Sequence, residues 1–235
     1  MPNLHPPTTT ESTTQQLNWI KPDQISLSEL GQQLEVGDVV FIHIRALPFM
    51  KIANATASWT NHVGVVVDTS GSEPLIAESC FPFSCTTTLK RFVRRSGGAR
   101  IAVKRVATAL TDKQRNKIKS SAQKRSGIFY DTGFDLHSSR QFCSRFVREV
   151  LAEATGIEVG HIESLDSLFK GNPAIDLRFW KLWYFGNIPW HRQTVTPASL
   201  LRCQKMNSIF DGVVCDEKRR GKQLTDSINQ NHFSL

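Results

Sequence analysis

The sequence predicts an α+β domain in which a small antiparallel sheet packs against a helix that carries a cysteine. Four short stretches that are β-branched or alternate in polarity, Val39–Ile44, His62–Val67, Leu75–Ser79 and Ile101–Val106, come before any apolar helix. Later, Phe142, Phe146, Val147, Val150 and Leu151 fall at helical spacing and give one helix an apolar stripe to lay on a sheet. With 235 residues and 40% hydrophobic content, the chain can bury a core, which excludes a wholly disordered protein.

The elements follow in order. Residues 1–25 are rich in Pro, Thr, Ser and Gln and are expected to be disordered. Ser26 to Val36 reads as a short helical lead-in, punctuated by Gly37-Asp38. Val39–Ile44 is a strand and His62–Val67 a second. The cluster Asp68 to Ser72 makes a turn, so Leu75–Ser79 returns as the other arm of a hairpin, and Ile101–Val106 adds a further strand. Thr111 with Gln114 has the spacing of a capping box and opens a Lys- and Arg-rich helix that stops near Gly127. Ser138 with Gln141 repeats that spacing ahead of the apolar-striped helix. Three of the five tryptophans lie between 179 and 190, and Thr196-Pro197 reads as the start of a terminal helix. The catalytic domain is expected over 26–202, with 203–235 a loose polar tail.

Charge is uneven. The net charge is +8, yet Lys90 to Arg125 holds thirteen basic residues against one acidic, so the remainder is slightly acidic. Phe92 is the sole aromatic in that stretch and no reader motif is present, so it reads as a solvated basic surface and nucleic acid is not the expected partner. No apolar run approaches the roughly eighteen residues of a membrane span. The first twenty residues contain neither Lys nor Arg nor an apolar core, unlike a secretory leader, so a cytoplasmic address is expected. Five cysteines, at 80, 85, 143, 203 and 215, are an odd number with irregular spacing, so reduced thiols are expected.

Cysteine catalysis needs a thiolate, an imidazole to take its proton and a polar group to orient the ring. Cys143 sits in the opening turns of the helix read as capped by Ser138, where the helix dipole favours a negative sulfur. His62 begins a strand between Asn61 and Val63, with Gly64 leaving room nearby. If Val67 faces Glu73 across the turn, His62 faces Glu78, and the two side chains share a face while Val63, Val65 and Val67 line the other. A slip of one residue would separate them. Cys80 and Cys85, with no helix beneath them, are weaker nucleophiles. His43, His62, Cys80 and Cys85 are the available metal donors. Cys-x4-Cys without a second pair is not a zinc signature, so no metal and no cofactor is expected. Trp59 and Tyr130 are candidates for lining the substrate cleft.

These residues carry a resemblance. Gly37-Asp38-Val39-Val40-Phe41 and Asn61-His62-Val63-Gly64-Val65-Val66 resemble the strand motifs of NlpC-type papain-like cysteine hydrolases, in which the histidine of the second motif is the base. There the cysteine helix comes first; here Gln141-Phe142-Cys143-Ser144-Arg145-Phe146-Val147 comes last, as in the circularly permuted branch that includes YebB, YiiX and, more distantly, lecithin retinol acyltransferase. Ser138 to Cys143, Ile188-Pro189-Trp190 and Val195 to Leu200 are most similar to the YebB group. The resemblance spans roughly 34–201. It implies a circularly permuted papain-like fold, with Cys143 as nucleophile, His62 as base and Glu78 as the orienting residue. The activity it implies is that of a bacterial cysteine amidase or peptidase acting through a thioester on a small acyl or peptide-like substrate. Two other readings stand beside it. One is a lipid acyltransferase or phospholipase, with the aromatic 179–190 segment and Lys181 making peripheral membrane contact. The other is a non-catalytic module that binds polyanions through the basic segment.

Overall fold

The structure, a computed structural model, describes residues 23–215. β1 (Asp23–Ser26) runs into α1 (Leu27–Gln33), where Ser26 and Glu29 exchange backbone-to-side-chain hydrogen bonds in a capping box. Next come β2 (Val39–Ile44), α2 (Leu47–Ala55), β3 (His62–Asp68), β4 (Leu75–Glu78) and β5 (Cys85–Thr88). α3 (Leu89–Arg94), β6 (Ser96–Val106) and α4 (Asp112–Lys124) follow, the last opened by the Thr111–Gln114 box that its spacing predicts. The chain then forms α5 (Cys143–Thr155), β7 (Ile162–Ser164), α6 (Leu165–Lys170), α7 (Leu177–Trp183), β8 (Gln193–Val195), α8 (Pro197–Leu201) and β9 (Met206–Cys215).

Seven strands make one sheet in the order β1-β9-β6-β2-β3-β4-β5, antiparallel except for the parallel β1–β9 pair, and β7 with β8 forms a separate ribbon. Strand alternation sends Val39, Phe41, Val63, Val65 and Ala77 to one face, beneath α4 and α5. It sends Val40, Ile42, Val66, Ile76 and Ile101 to the other, beneath α1 and α3. Both faces are therefore buried, which is why β2 and β3 read as continuous apolar runs. Each such side chain contributes about 1.5–3 kcal/mol on burial. A third cluster, Ala55, Leu165, Phe169, Trp180 and Ile188, joins α2, α6 and α7 beside the sheet.

Two expected boundaries move. Residues 203–235 were expected as a tail, yet Met206–Cys215 is a full strand along β6; only Met206, Phe210 and Gly212 of it are buried, so its hydrophobic period is weak. Asp23 to Ile25, expected within the disordered segment, pair with that strand. The rest of both expected segments, 1–22 and 216–235, lies outside the described residues.

Among the described residues no helix is long and apolar enough to cross a membrane. Much of the basic segment is paired with acids from elsewhere. Arg105 grips Asp38 and Glu35, Arg115 meets Glu35, Lys119 meets Asp68, and Lys124 and Arg125 meet Glu153. Its charge stitches α4 and β6 to their neighbours. Exposed pairs contribute about 0–1 kcal/mol each, whereas Asp38 is fully buried and held at both oxygens by Arg105.

Candidate active site

Cys143 is the first residue of α5 and is buried. The expected Ser138 cap is absent. Ser138 Oγ instead accepts from the Arg140 N–H, 3.0 Å away, within a turn. The chain beyond it stays extended, because Gln141 accepts from the Asp131 N–H and donates to the Phe129 carbonyl. Phe142 takes the N-cap position and offers no side-chain acceptor. The first-turn N–H groups of α5 therefore keep their hydrogen-bonding capacity at the cysteine. Gly156 ends the helix at φ +76°, a left-handed conformation that suits glycine.

Two hydroxyls fix this helix start. Ser79 Oγ donates to the Gln141 carbonyl at 3.0 Å, tying the end of β4 to the entry of α5. Ser144 Oγ donates to the Val195 carbonyl at 2.7 Å, tying it to β8.

His62 opens β3 and is fully buried, its ring 5.8 Å from that of Phe92 and edge-on to Phe49 at 5.9 Å. Asn61 pins the strand entry by bonding both backbone groups of Ile44. His62 Nε2 lies 2.5 Å from Glu78 Oε2, and Arg95 donates to Glu78 Oε1 at 2.5 Å. Among the described residues Nδ1 meets no nitrogen or oxygen partner, and Cys143 is the neighbour that interacts with the ring. Burial alone would lower the imidazole pKa, but the neighbouring Cys143 sulfur in its thiolate form and the Glu78 carboxylate outweigh it and raise the pKa to about 9. Glu78 shows the converse: burial favours its neutral form, but His62 and Arg95 together hold its pKa below the usual value.

Tyr130 reaches the cleft. It lines an apolar pocket with Cys143, Phe142, Phe169 and Trp180, and burial followed by its interaction with the Cys143 sulfur drives its pKa well up. Trp59 is not brought there. Its ring packs at the core edge with the Arg100 guanidinium 4.6 Å above it, and it is not among the pocket-lining residues. Trp180, from the aromatic 179–190 segment, is buried as a pocket wall, whereas Phe185 is almost fully exposed.

Arg95 is the site residue that sequence reasoning missed. It sits at the C-terminus of α3 inside the basic run, where nothing in spacing marks it apart from its neighbours. Gly64 has a different function from the one expected. A Cβ there would lie 2.5 Å from Ile76 Cγ2 and 2.9 Å from Phe92 Cε2, so its missing side chain makes room for the residues that wall in His62.

Comparison with known proteins agrees with this architecture. The YiiX protein of Escherichia coli (strain K12), described as uncharacterized, is 26% identical over 185 residues, covering 79% of this chain and 90% of YiiX. A crystal structure described as the metalloprotein yiiX from Escherichia coli O157:H7 superposes with a TM-score of 0.71 at 26% identity, covering 77% of this chain and 99% of that one. YiiX is the relative these matches bring forward; a closer tie to the YebB group stays an expectation of the sequence.

The metalloprotein corrects one expectation, that this chain has no metal among its partners. The solved relative is described as binding metal, and here Glu78, Cys80 and Cys85 bring one ligand atom each within 4.8 Å of one another. Sequence spacing hid this trio because Glu78 supplies the third donor where a second Cys pair was sought.

Residues 33–210 match the family model described as permuted papain-like amidase enzymes of the YaeF/YiiX, C92 family, and the chain belongs to that family of cysteine hydrolases.

Proposed function

We propose that this chain is a cysteine amidase or peptidase in which Cys143 is the nucleophile, His62 its base and Glu78 the residue that orients the imidazole. The observation that carries this reading is the state of the His62 ring. Nε2 is held by the buried Glu78 carboxylate while the Cys143 sulfur interacts with the same buried ring by charge and hydrogen bond, so one imidazole joins the thiol to the acid.

The chemistry follows from the positions. His62 takes the Cys143 proton, and the thiolate attacks the acyl carbon of an amide. Negative charge develops on the carbonyl oxygen and is met by the uncapped N–H groups at the start of α5. As the tetrahedral intermediate collapses, the C–N bond breaks and the imidazolium gives its proton to the leaving amine, so that the acyl group remains on sulfur as a thioester. Water, deprotonated by His62, then releases the acid. The pocket beside Cys143 is walled by Phe142, Phe169 and Trp180, so the acyl part of the substrate is apolar and small. A reduced nucleophile fits a reducing compartment, and we place the activity in the cytoplasm.

The metal of the yiiX description carries over as part of the same proposal. Two sulfurs and a carboxylate suit a borderline ion such as zinc, and at Glu78, Cys80 and Cys85 it would supply fixed positive charge beside the orienting carboxylate.

The test is hydrolysis of a panel of N-acyl amino acids and short peptides by wild-type protein, with phospholipids as comparison. We expect release of free acid and a Cys143-linked acyl adduct in the intact mass when the reaction is quenched. Turnover that survives Cys143→Ala would overturn the assignment, and turnover of phospholipids alone would move the chain to the lipid-acyl reading.

A further inference from the structure

Glu78 belongs to two sites at once. Toward His62 it is the buried carboxylate described above. Toward the β4–β5 turn it is paired across the ladder with Cys85, and residues opposed in an antiparallel pair point to the same face. Cys80, two residues beyond Glu78, brings its sulfur back to 3.2 Å from that of Cys85, and both cysteines are free thiols.

The turn that carries them is anchored from outside. Ser84 donates its N–H to the Ile128 carbonyl, the Gly127 N–H donates to the Ser84 carbonyl, and the Tyr130 N–H donates to the Pro82 carbonyl. Cys80 and Cys85 are thus held together by backbone contacts that do not involve their sulfurs. Two thiolates on one tetrahedral zinc ion, with bonds of about 2.3 Å, stand about 3.8 Å apart, so these sulfurs need to part by only about half an ångström.

Both oxygens of the Glu78 carboxylate already face positive groups, Oε1 Arg95 and Oε2 His62, so an incoming ion has to displace one of them. Arg95 is the cation now at the Glu78 carboxylate, bonded to Oε1, and its side chain is 34% exposed, which leaves it a path into solvent. Glu78 itself is 1% exposed and has no such freedom.

We infer that the β4–β5 turn binds one thiophilic divalent cation through Cys80, Cys85 and Glu78, and that the ion and His62 share Glu78, so that metal loading weakens the support of the imidazolium and slows Cys143. The second half rests on the triad reading; the first does not. Arg95 gives way to the ion, and the carboxylate that balanced one positive neighbour and the imidazolium then balances a divalent charge.

The experiment uses the reduced full-length chain and Co2+ as the probe, because thiolate ligation to cobalt produces a charge-transfer absorption that oxygen and nitrogen ligands do not. We expect that band to saturate at one equivalent, to disappear when Zn2+ is added, and to be lost in the Cys80→Ser and Cys85→Ser variants but kept in Cys143→Ala. In the wild-type protein, which needs no variant to fold, Zn2+ should protect Cys80 and Cys85 from maleimide. Absence of the band, its survival without Cys80 and Cys85, or its loss in Cys143→Ala would overturn the site. For the shared carboxylate, Zn2+ at saturation should slow iodoacetamide labelling of Cys143 several-fold in the wild type and leave it unchanged in Cys80→Ser. Labelling that ignores Zn2+ would overturn the sharing while the binding stands. If His62→Ala labels Cys143 as fast as wild type does, the triad reading fails instead.

Discussion

His62 Nε2 lies 2.5 Å from Glu78 Oε2 although the two residues are not opposite each other in the sheet. The ladder pairs Val65 with Ala77 and Val66 with Ile76, which places Gly64, not His62, across from Glu78. The contact is diagonal, and a glutamate is long enough to span it.

The imidazole pKa near 9 keeps His62 protonated at neutral pH, beside the Cys143 sulfur. On the proposed triad, iodoacetamide at pH about 6 should label Cys143 ahead of the other four cysteines, since an ordinary thiol is under about one per cent ionised there. Turnover should fall as pH rises through about 9 and the leaving group loses its acid. Because the folded value is raised above the reference 6.5, the stabilisation linked to His62 is complete below about pH 6.5 and is lost on the way to 9. Peptide mapping and a pH–rate profile check both; a thiol at Cys203 that reacts first would contradict them.

Glu78→Gln should lower kcat about ten- to a thousand-fold, because the amide can still bond the ring but no longer offsets its charge. His62→Ala should cost several orders of magnitude. In the double variant, Glu78→Gln should add little, since it acts only through His62. Independent multiplicative losses would show that another residue orients the ring.

On the proposed triad, Arg95 would act through Glu78, which it contacts, as a positioning residue. Arg95→Ala removes one of the two partners that hold the Glu78 carboxyl low, so the acid limb of the pH–rate profile should move upward as Glu78 protonates earlier, with kcat reduced about tenfold near the optimum and KM little changed. Arg95→Lys should restore much of the profile. An unmoved acid limb would reduce Arg95 to a surface contact.

Gly64→Ala tests the wall around His62. The new methyl would lie 2.5 Å from Ile76 and 2.9 Å from Phe92, and overpacking of this kind costs about 1–3 kcal/mol. Thermal unfolding should show a lower Tm. A residue that merely needs backbone freedom would not also change the Cys143 labelling rate, whereas displacement of Phe92 from the ring face should.

The sheet core and the helix that carries Cys143 were legible because they rest on period and position. Val63, Val65 and Val67 alternate, and the apolar stripe after Phe142 has helical spacing. The register was not. Sequence pairing of Val67 with Glu73 is two residues away from the ladder of Val65 with Ala77, because the hairpin closes at Asp68 and Leu75 over a longer turn than the one from 68 to 72. An even displacement keeps the parity of every side chain, so His62 and Glu78 still share a face. The Ser138 box failed for a different reason. A capping spacing describes what a helix could use, while the extended pairing of Gln141 with Tyr130 decides where the helix begins. β1 and β9 were hidden because their partners lie far along the chain, and Arg95 because nothing sets it apart within the basic run.

The parallel partnership of β1 with β9 carries a consequence for the order of assembly. Among the described residues β1 hydrogen-bonds to no other strand, and its partner, Met206–Cys215, is the final described element. A segment synthesised early must therefore wait for one synthesised late, while β2, β3 and β4 pair with near neighbours as they emerge. Until then the β6 edge is open and α1 lacks its neighbouring strand. A chain cut ahead of Met206 would lose two strands rather than one, from opposite ends of its sequence.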